Sequence, residues 1–573
     1  MRPGKKSPES LRSPLQGRVL SSGGPKAWRE GFGFAFFLLS LLVLLRYIWG
    51  PSAAFIHSDS TDTILWAQAS LQAGRSLDPA FHYAGLLPFG ANLWYIPMLA
   101  AAGLSVKVQL WGLTIFLLLF AASIYFFFRA LPLSRGQAAA ASAVSLLFFS
   151  GSDKLREIFW GHVIYYSLGL FFLALGLGLI FRIRQKEAKQ CIPCYLLLSL
   201  LCVGAGTDGV QMAAVFFLPL AAGLVLELLL SEDRAEFLRL RDKNVVLLIS
   251  LTGGTAIGFI VLSVMRRGGV RAGYADAYSS WSNSAEWTEH FLKIIPDFFN
   301  LTGASVHNEY IHMVSPRSFG LMLLIFSALL ILFLPLAGLF FYRKIRNQNT
   351  KLLLLVHTVN AGIILFLYIF GKLGAANWRL IPLLGSGLWA AIALCFELLR
   401  TPSARELRGD AARRLKPRER PAFRAGFLLL LVLGLTALVN VFHVLTIRPE
   451  DAPNYEQRQT DLAFMEEHDL NYGFATFWNA NVYTLLSDEE VRVRDITADE
   501  KGIKMRPYQN RDSWFEKQDG IAHYFLLLTD KEFGELRQSP EWPELEAILL
   551  SEARAGRHNF LIFDEALLPH LQS

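Results

Sequence analysis

The sequence predicts a polytopic α-helical membrane protein of about eleven spans that ends in a small soluble α/β domain, and three observations predict it. Of 573 residues, 53% are hydrophobic and 44 are Phe, more than a soluble chain of this size carries. The apolar residues gather in runs of roughly 20, the length that crosses a bilayer as a helix. Beyond Ile447 those runs stop, and charged, turn-forming and alternating segments take over.

The runs place spans near 31–50, 108–130, 136–150, 163–182, 192–206, 209–230, 244–265, 319–342, 352–371, 378–399 and 424–446. The third and fifth are short, which fits tilted or half-inserted helices. With the N-terminus in the cytoplasm, inside segments hold 30 Lys and Arg and outside segments 11, although the outside segments are longer. That asymmetry sets the orientation, and an odd number of spans then carries the C-terminal domain outside the cytoplasm. The net charge of +7 is flank charge of this kind and calls for no nucleic-acid partner. Phe32 to Trp49 is long and lacks a small-residue cleavage site, so it reads as a retained anchor.

Three parts follow. Residues 1–28, rich in Ser, Gly, Pro and basic side chains, read as a disordered cytoplasmic tail. Residues 29–446 form the transmembrane domain, with long external loops at 51–107 and 266–317; loops of that length are functional when they are not disordered. Residues 447–573 form the extracytoplasmic α/β domain. Its pattern gives a helix from Gln457 to His468, strands at Tyr472 to Trp478 and Val491 to Ile496, and a short helix from Tyr483 to Leu486. A strand at Tyr524 to Leu528, a helix near Glu541 to Leu549 and a last strand at Asn559 to Phe563 complete it.

Within the first loop, Ile64, Leu65, Gln68, Leu71 and Gln72 have the spacing of an amphipathic helix. In the second, Trp287, Phe291, Ile294, Ile295 and Phe298 form a stripe suited to the membrane surface, and Asn300-Leu301-Thr302 fits a glycosylation sequon. Cys191-Ile-Pro-Cys194 has no second pair to complete a metal site and reads as buried small groups. The arginine-dense segment 400–424 anchors on an anionic inner leaflet.

The most informative segment follows the first span: His57-Ser58-Asp59-Ser60-Thr61-Asp62-Thr63. Asp59 and Asp62 are three apart and share a face if the segment is helical. A carboxylate at the membrane rim can serve as general base toward a hydroxyl; Asp is equally a common helix cap. Glu157 and His162, in Leu155-Arg-Glu-Ile-Phe-Trp-Gly-His162, stand at the outer mouth of a span, where a His can bind a metal or a sugar hydroxyl or simply end a helix. Asp208, between glycines in Gly206-Thr-Asp-Gly209, is a turn residue that faces the same side. Arg266 and Arg267 break the charge rule outside, and so does Arg379 in Asn377-Trp378-Arg379-Leu-Ile-Pro382. A guanidinium there can receive a departing phosphate or snorkel to headgroups.

The run Asp59-Ser-Thr-Asp-Thr-Ile-Leu-Trp-Ala, with Gly74, Asp78-Pro79 and Leu87-Pro88-Phe89-Gly90-Ala-Asn92-Leu93, resembles the first external loop of bacterial GT-C-type glycosyltransferases of the PMT/ArnT-like kind. The resemblance covers the span pattern of 31–446. It implies a GT-C-like fold and transfer of a hexose or pentose from a polyprenyl-phosphate carrier, with inversion, on the outer face of the cell membrane. It implies an acid in this loop as base: Asp59 by its distance from the span and from Trp66-Ala67, with Asp62 the second candidate. Ser60 stands where many members continue an Asp-Glu pair. The substrate-binding set is then Glu157, His162, Asp208, Arg266, Arg267 and Arg379. The implied partners are the polyprenyl-phosphate sugar, the bilayer and a cell-envelope glycan, lipid or protein acceptor; a divalent metal is the one cofactor left as a candidate. Tyr472-Gly-Phe-Ala-Thr-Phe-Trp478-Asn479-Ala-Asn481 resembles the soluble tails of related membrane proteins. There Trp478, Asn479 and Asn481 are candidates for sugar contact, against a reading as core.

Two rival functions remain. A transporter or flippase would place ionisable or helix-breaking residues at the midplane of several spans, and the spans carry almost none. A non-catalytic protein presenting its α/β domain would be indifferent to Asp59.

Overall fold

The computed structural model describes residues 25–163, 165–185, 191–231, 234–267, 271–272, 280–305, 311–400 and 419–572. Most of the tail expected at 1–28, most of the arginine-dense segment and parts of the second long loop lie outside them.

Nine described helices are long and apolar enough to cross a membrane: Glu30–Trp49, Val106–Ala130, Tyr166–Gln185, Val210–Leu229, Leu240–Arg267, Pro316–Phe340, Gln348–Phe370, Asn377–Leu399 and Ala422–Thr446. The two short spans are shorter helices of 14 and 16 residues, Arg135–Phe148 and Ile192–Thr207. Arg135–Phe148 is alanine-rich and buried along most of its length. It reaches the first helix so closely that a Cβ on Gly33 would stand 2.0 Å from the Gly136 carbonyl oxygen. Only glycine permits that approach.

Among the described residues nine strands are present: β1 (Phe81–Tyr83), β2 (Arg271–Ala272), β3 (Tyr472–Thr476), β4 (Arg492–Asp499), β5 (Gly502–Met505), β6 (Asn510–Arg511), β7 (Tyr524–Thr529), β8 (Ser551–Ala555) and β9 (His558–Phe563). Six of them form the C-terminal sheet in the order β5-β4-β3-β7-β9-β8, parallel through β4, β3 and β7 and antiparallel at both edges. Side chains of β7 alternate between two cores, as strand geometry requires. Phe525 and Leu527 face the cluster continuous with the helix bundle, while Tyr524, Leu526 and Leu528 pack with Phe533, Trp542 and Leu545. The strands and helices predicted between 457 and 563 are all present within a few residues. β5, β8 and the helix Asp530–Leu536 were not anticipated.

A second sheet, β2-β1-β6, joins the two long loops to the C-terminal domain; β1 runs parallel to β2 and antiparallel to β6. Around it the domain is fastened to the first loop. Arg458 Nη1 donates to the carbonyls of Ile56 at 2.6 Å and Ala54 at 3.2 Å, Trp66 Nε1 donates to Gln509 Oε1, and Arg511 pairs with Asp78. This cover changes the expected character of the helix after Asp59. Asp62–Ala73 is a helix, but residues from Asp62 to Ser70 are all buried, so it has no solvent face there and is not amphipathic in its setting.

In the second loop the helix Trp287–Leu301 lies against Gln348–Phe370. Trp287 meets Phe370 edge-on with ring centres 5.0 Å apart, and Asp297 accepts a hydrogen bond from Tyr368. Its other face leaves Phe291, Leu292 and Ile295 exposed, as a surface-lying helix does. The sequon Thr302 is buried and donates to the carbonyls of Phe298 and Phe299.

Candidate active site

At the end of the bundle covered by the C-terminal domain is a cavity of about 1370 Å³. It is lined by the polar side chains Asp59, Asp62, Glu157, His162, Asp208, Arg266 and Arg379, and by the apolar Phe259, Leu262, Ile364, Phe366 and Leu367 from membrane helices. Of the candidates singled out in the transmembrane domain, Arg267 is the exception. It is exposed at the end of Arg234–Arg267 and does not line the cavity.

Local hydrogen bonding sets the acids in place. Ser58–Thr61 is a single 3-10 turn, and Asp62 opens the helix that follows. The Thr61 hydroxyl donates to the Ser58 carbonyl, and Gln109, fully buried in Val106–Ala130, donates to the carbonyls of Ser60 and Gly161 at 3.1 Å each. Thr63 Oγ1 donates to the His162 carbonyl at 2.7 Å. Two loops a hundred residues apart are thereby locked together. Neither Asp caps a helix: the N-cap positions of the two elements are His57 and Thr61.

The Asp59 carboxylate is half-buried, and burial raises its pKa against the opposing pull of His57. Asp62 is buried, one of its oxygens has no hydrogen-bond partner among the described residues, and burial and the charge of Asp59 push its carboxyl well above the usual range. Asp62 is therefore held neutral. Asp208, in the turn after Ile192–Thr207, has two enclosed oxygens with no hydrogen-bond partner among the described residues, and burial raises it well above its ordinary value. It too is a neutral acid, able to donate or accept toward a ligand.

Glu157, His162 and His57 converge on one point. The helix Asp153–Glu157, capped by Ser152, passes into a π-turn Ile158–His162, which ends at Val163 with φ 54°, a left-handed conformation unusual for a β-branched residue. Glu157 Oε1 lies 3.5 Å from His57 Nε2 and 3.5 Å from His162 Nε2, and the two Nε2 atoms are 3.5 Å apart. The centre of such a triangle lies about 2.0 Å from each corner, the length of a zinc–nitrogen bond. Burial holds the His162 imidazole neutral, down at about 3. Burial alone would raise Glu157, but the His57 hydrogen bond and the neighbouring His162, His57 and Lys154 bring it to about 2. An ionised carboxylate and a neutral imidazole are what a divalent cation requires of its ligands. The Nδ1 atoms of both histidines lack hydrogen-bond partners among the described residues.

The cationic wall is larger than the sequence suggested. Lys154 Nζ lies 2.6 Å from Glu157 and 4.4 Å from the centre of the Trp378 ring. The next residue, Arg379, is buried on the turn Asn377–Leu380 and donates to the Lys372 carbonyl at 3.1 Å. Arg266 lies exposed at its helix end. From the C-terminal domain come Trp478, Asn479 and Tyr508. Asn481 is buried, does not line the cavity and bonds to the Gln509 carbonyl, so it holds the turn together and does not face a ligand. Sequence reasoning missed His57 as a ligand, Lys154 and Tyr508; their proximity to the acids is visible only once the loops are folded together.

No protein-family model matches the chain, and no curated protein matches its sequence. Its fold does match solved structures. ArnT from Cupriavidus metallidurans bound to undecaprenyl phosphate superposes with a TM-score of 0.53 at 13% identity, over 93% of this chain and 98% of that one. The apo state of the same protein gives 0.51 over 94% and 98%. A looser likeness, with a TM-score of 0.45, is to the archaeal oligosaccharyltransferase AglB from Archaeoglobus fulgidus in complex with an inhibitory peptide and a dolichol-phosphate, at 12% identity. The agreement with ArnT takes in both the helix bundle and the strand-bearing C-terminal domain, so this chain is a multi-pass membrane protein with the GT-C fold.

Proposed function

We propose that the chain is a membrane glycosyltransferase that moves a sugar from a polyprenyl-phosphate carrier to an acceptor hydroxyl on the extracytoplasmic face, with its N-terminus in the cytoplasm. One observation carries the reading. Asp59, Asp62, Glu157, His162, Asp208, Arg266 and Arg379, from separate parts of the chain, line one cavity together with apolar side chains of the membrane helices. A lipid tail suits the apolar side chains and a phosphate the cationic ones. The likeness to a structure containing undecaprenyl phosphate agrees in fold.

Asp59 accepts the proton of the acceptor hydroxyl as its oxygen attacks the anomeric carbon. The bond from that carbon to the phosphate oxygen breaks, and the phosphate leaves with the electron pair. Arg379, with Arg266 and Lys154 lining the same cavity, meets the charge that develops there, which lowers the barrier because it is matched in the transition state more than in the ground state. Asp208 and Asp62, held neutral, offer hydrogen bonds to sugar hydroxyls. His57, Glu157 and His162 are the residues that would hold a divalent ion, and bound there it would supply Lewis-acid stabilisation of phosphate oxygens.

The transporter reading draws on buried polar groups within the described spans, such as His357 in Gln348–Phe370. Its Nδ1 lies 2.9 Å from Ser386 Oγ, and Asn360 donates to the same hydroxyl and to the Pro382 carbonyl. The group is closed on itself and does not line the cavity, which makes it a tie between two helices.

The test is transfer of labelled sugar from a panel of polyprenyl-phosphate donors by the purified protein. Asp59→Asn is expected to lower transfer by about 10²–10⁴-fold. Wild-type protein that transfers from no donor refutes the reading, and unimpaired Asp59→Asn refutes the base.

A further inference from the structure

Among the described residues of the C-terminal domain, the large apolar side chains left exposed are Trp478, at 61%, and Leu550. Every other large aromatic of the domain is at least partly packed, and Trp478 alone of these two lines the cavity. Strands that end in Phe-Trp usually bury both rings; here Phe477 packs edge-on against Tyr508 at 5.4 Å and Trp478 is turned out. The turn that presents it is firmly held: Asn481 adopts φ 56°, its N–H donates to the Val493 carbonyl at 2.8 Å, and the Ala480 carbonyl accepts from Ser58 at 2.7 Å. The indole therefore has a fixed position, with its ring centre 6.2 Å from that of His57.

An indole face kept in water beside polar groups suits a ligand with both apolar and hydroxylated surfaces. Asn479 and Tyr508, which line the cavity next to it, supply donors and acceptors of the kind hydroxyls need. Phe259, Leu262, Phe366 and Leu367 belong to membrane helices, whereas Trp478 is contributed by the C-terminal domain. A lipid-borne donor comes from the membrane.

We propose that Trp478, with Asn479 and Tyr508, is the acceptor subsite, and that the acceptor is a glycan whose pyranose ring stacks on the indole. The proposal rests on the transferase reading and specifies its second substrate, excluding a peptide or an unglycosylated lipid.

Saturation-transfer NMR on the full chain in nanodiscs tests it with a panel of methyl pyranosides, alongside undecaprenyl phosphate binding to the same samples. At least one glycoside is expected to receive saturation through its C–H-rich face. Trp478→Ala is expected to weaken that binding about tenfold, and Trp478→Tyr to restore part of it. Retained undecaprenyl phosphate binding shows that the variants are folded. Glycoside binding that is absent from wild type, is indifferent to Trp478→Ala, or is displaced by a polyprenyl-phosphate sugar overturns the acceptor subsite. Wild type that binds glycosides through Trp478 but no polyprenyl phosphate leaves the platform standing and refutes the lipid-donor reading instead.

Discussion

The Ser58 hydroxyl donates to the Ala480 carbonyl at 2.7 Å, so the residue preceding Asp59 is held by the C-terminal domain across 422 positions of sequence. Arg458 reinforces the link two residues earlier, at the Ile56 carbonyl. The soluble domain thus fixes the position of the acidic loop as well as covering it.

Cutting these ties should therefore misplace the acid without removing it. Arg458→Ala loses charge-assisted hydrogen bonds worth about 1.5–3 kcal/mol and Ser58→Ala a neutral one worth about 1 kcal/mol. The expected result is a fall in kcat, larger for Arg458→Ala, with polyprenyl-phosphate binding retained. Steady-state kinetics beside a lipid-binding assay check it.

Asp59 and Asp62 should respond differently to the same substitution. Asp62 is buried and neutral, so Asp62→Asn replaces one uncharged polar group with another and should leave most of the transfer rate. Asp59→Asn removes a half-buried carboxylate and should lower transfer by about 10²–10⁴-fold. Equal losses in the two variants would make Asp62 part of the chemistry.

Arg379→Gln should lower transfer by about 10²–10³-fold, the effect of removing a donor aimed at developing charge. Arg379→Lys should restore part of the rate, because a point charge lacks the paired donors of a guanidinium. A Kd for polyprenyl phosphate measured on each variant separates lost binding from lost catalysis.

If a divalent ion sits between His57, Glu157 and His162, wild-type protein should take up about one zinc per chain by elemental analysis. His162→Ala should weaken uptake at least roughly tenfold. Uptake unchanged in His162→Ala would place the metal elsewhere.

Asp495 gives a pH dependence of stability. Burial pushes its carboxyl up to about 8, against the pull of Arg506 3.4 Å away. The folded state then holds this proton more tightly than the unfolded chain does, so the contribution is full at low pH and is lost as pH rises from about 4 to about 8. Asp495→Asn should flatten that slope. Hydrogen exchange of β4 across this range, wild type against variant, measures it.

The spans were legible because bilayer length is written locally in the chain. Most of the C-terminal strands announced themselves by alternation. What the sequence could not convey was proximity. His57 stands two residues from Asp59, but its partnership with Glu157 and His162 depends on the Gln109 clamp. Trp478 looked like core because its strand is core, and only the turn after Thr476 rotates it outward. The helix at 62–73 has amphipathic spacing, yet a domain encoded some 400 residues later covers it. β1, β2 and β6 are two or three residues long, too short for any periodicity to show.

Those three short strands also impose an order on biogenesis. β6 is translated more than 400 residues after the first loop, which it fastens through Arg511 and Asp78. A nascent chain halted after its last membrane helix would have every span and every acid, yet no completed site. Such a product lacks the cavity wall that Trp478, Asn479 and Tyr508 supply.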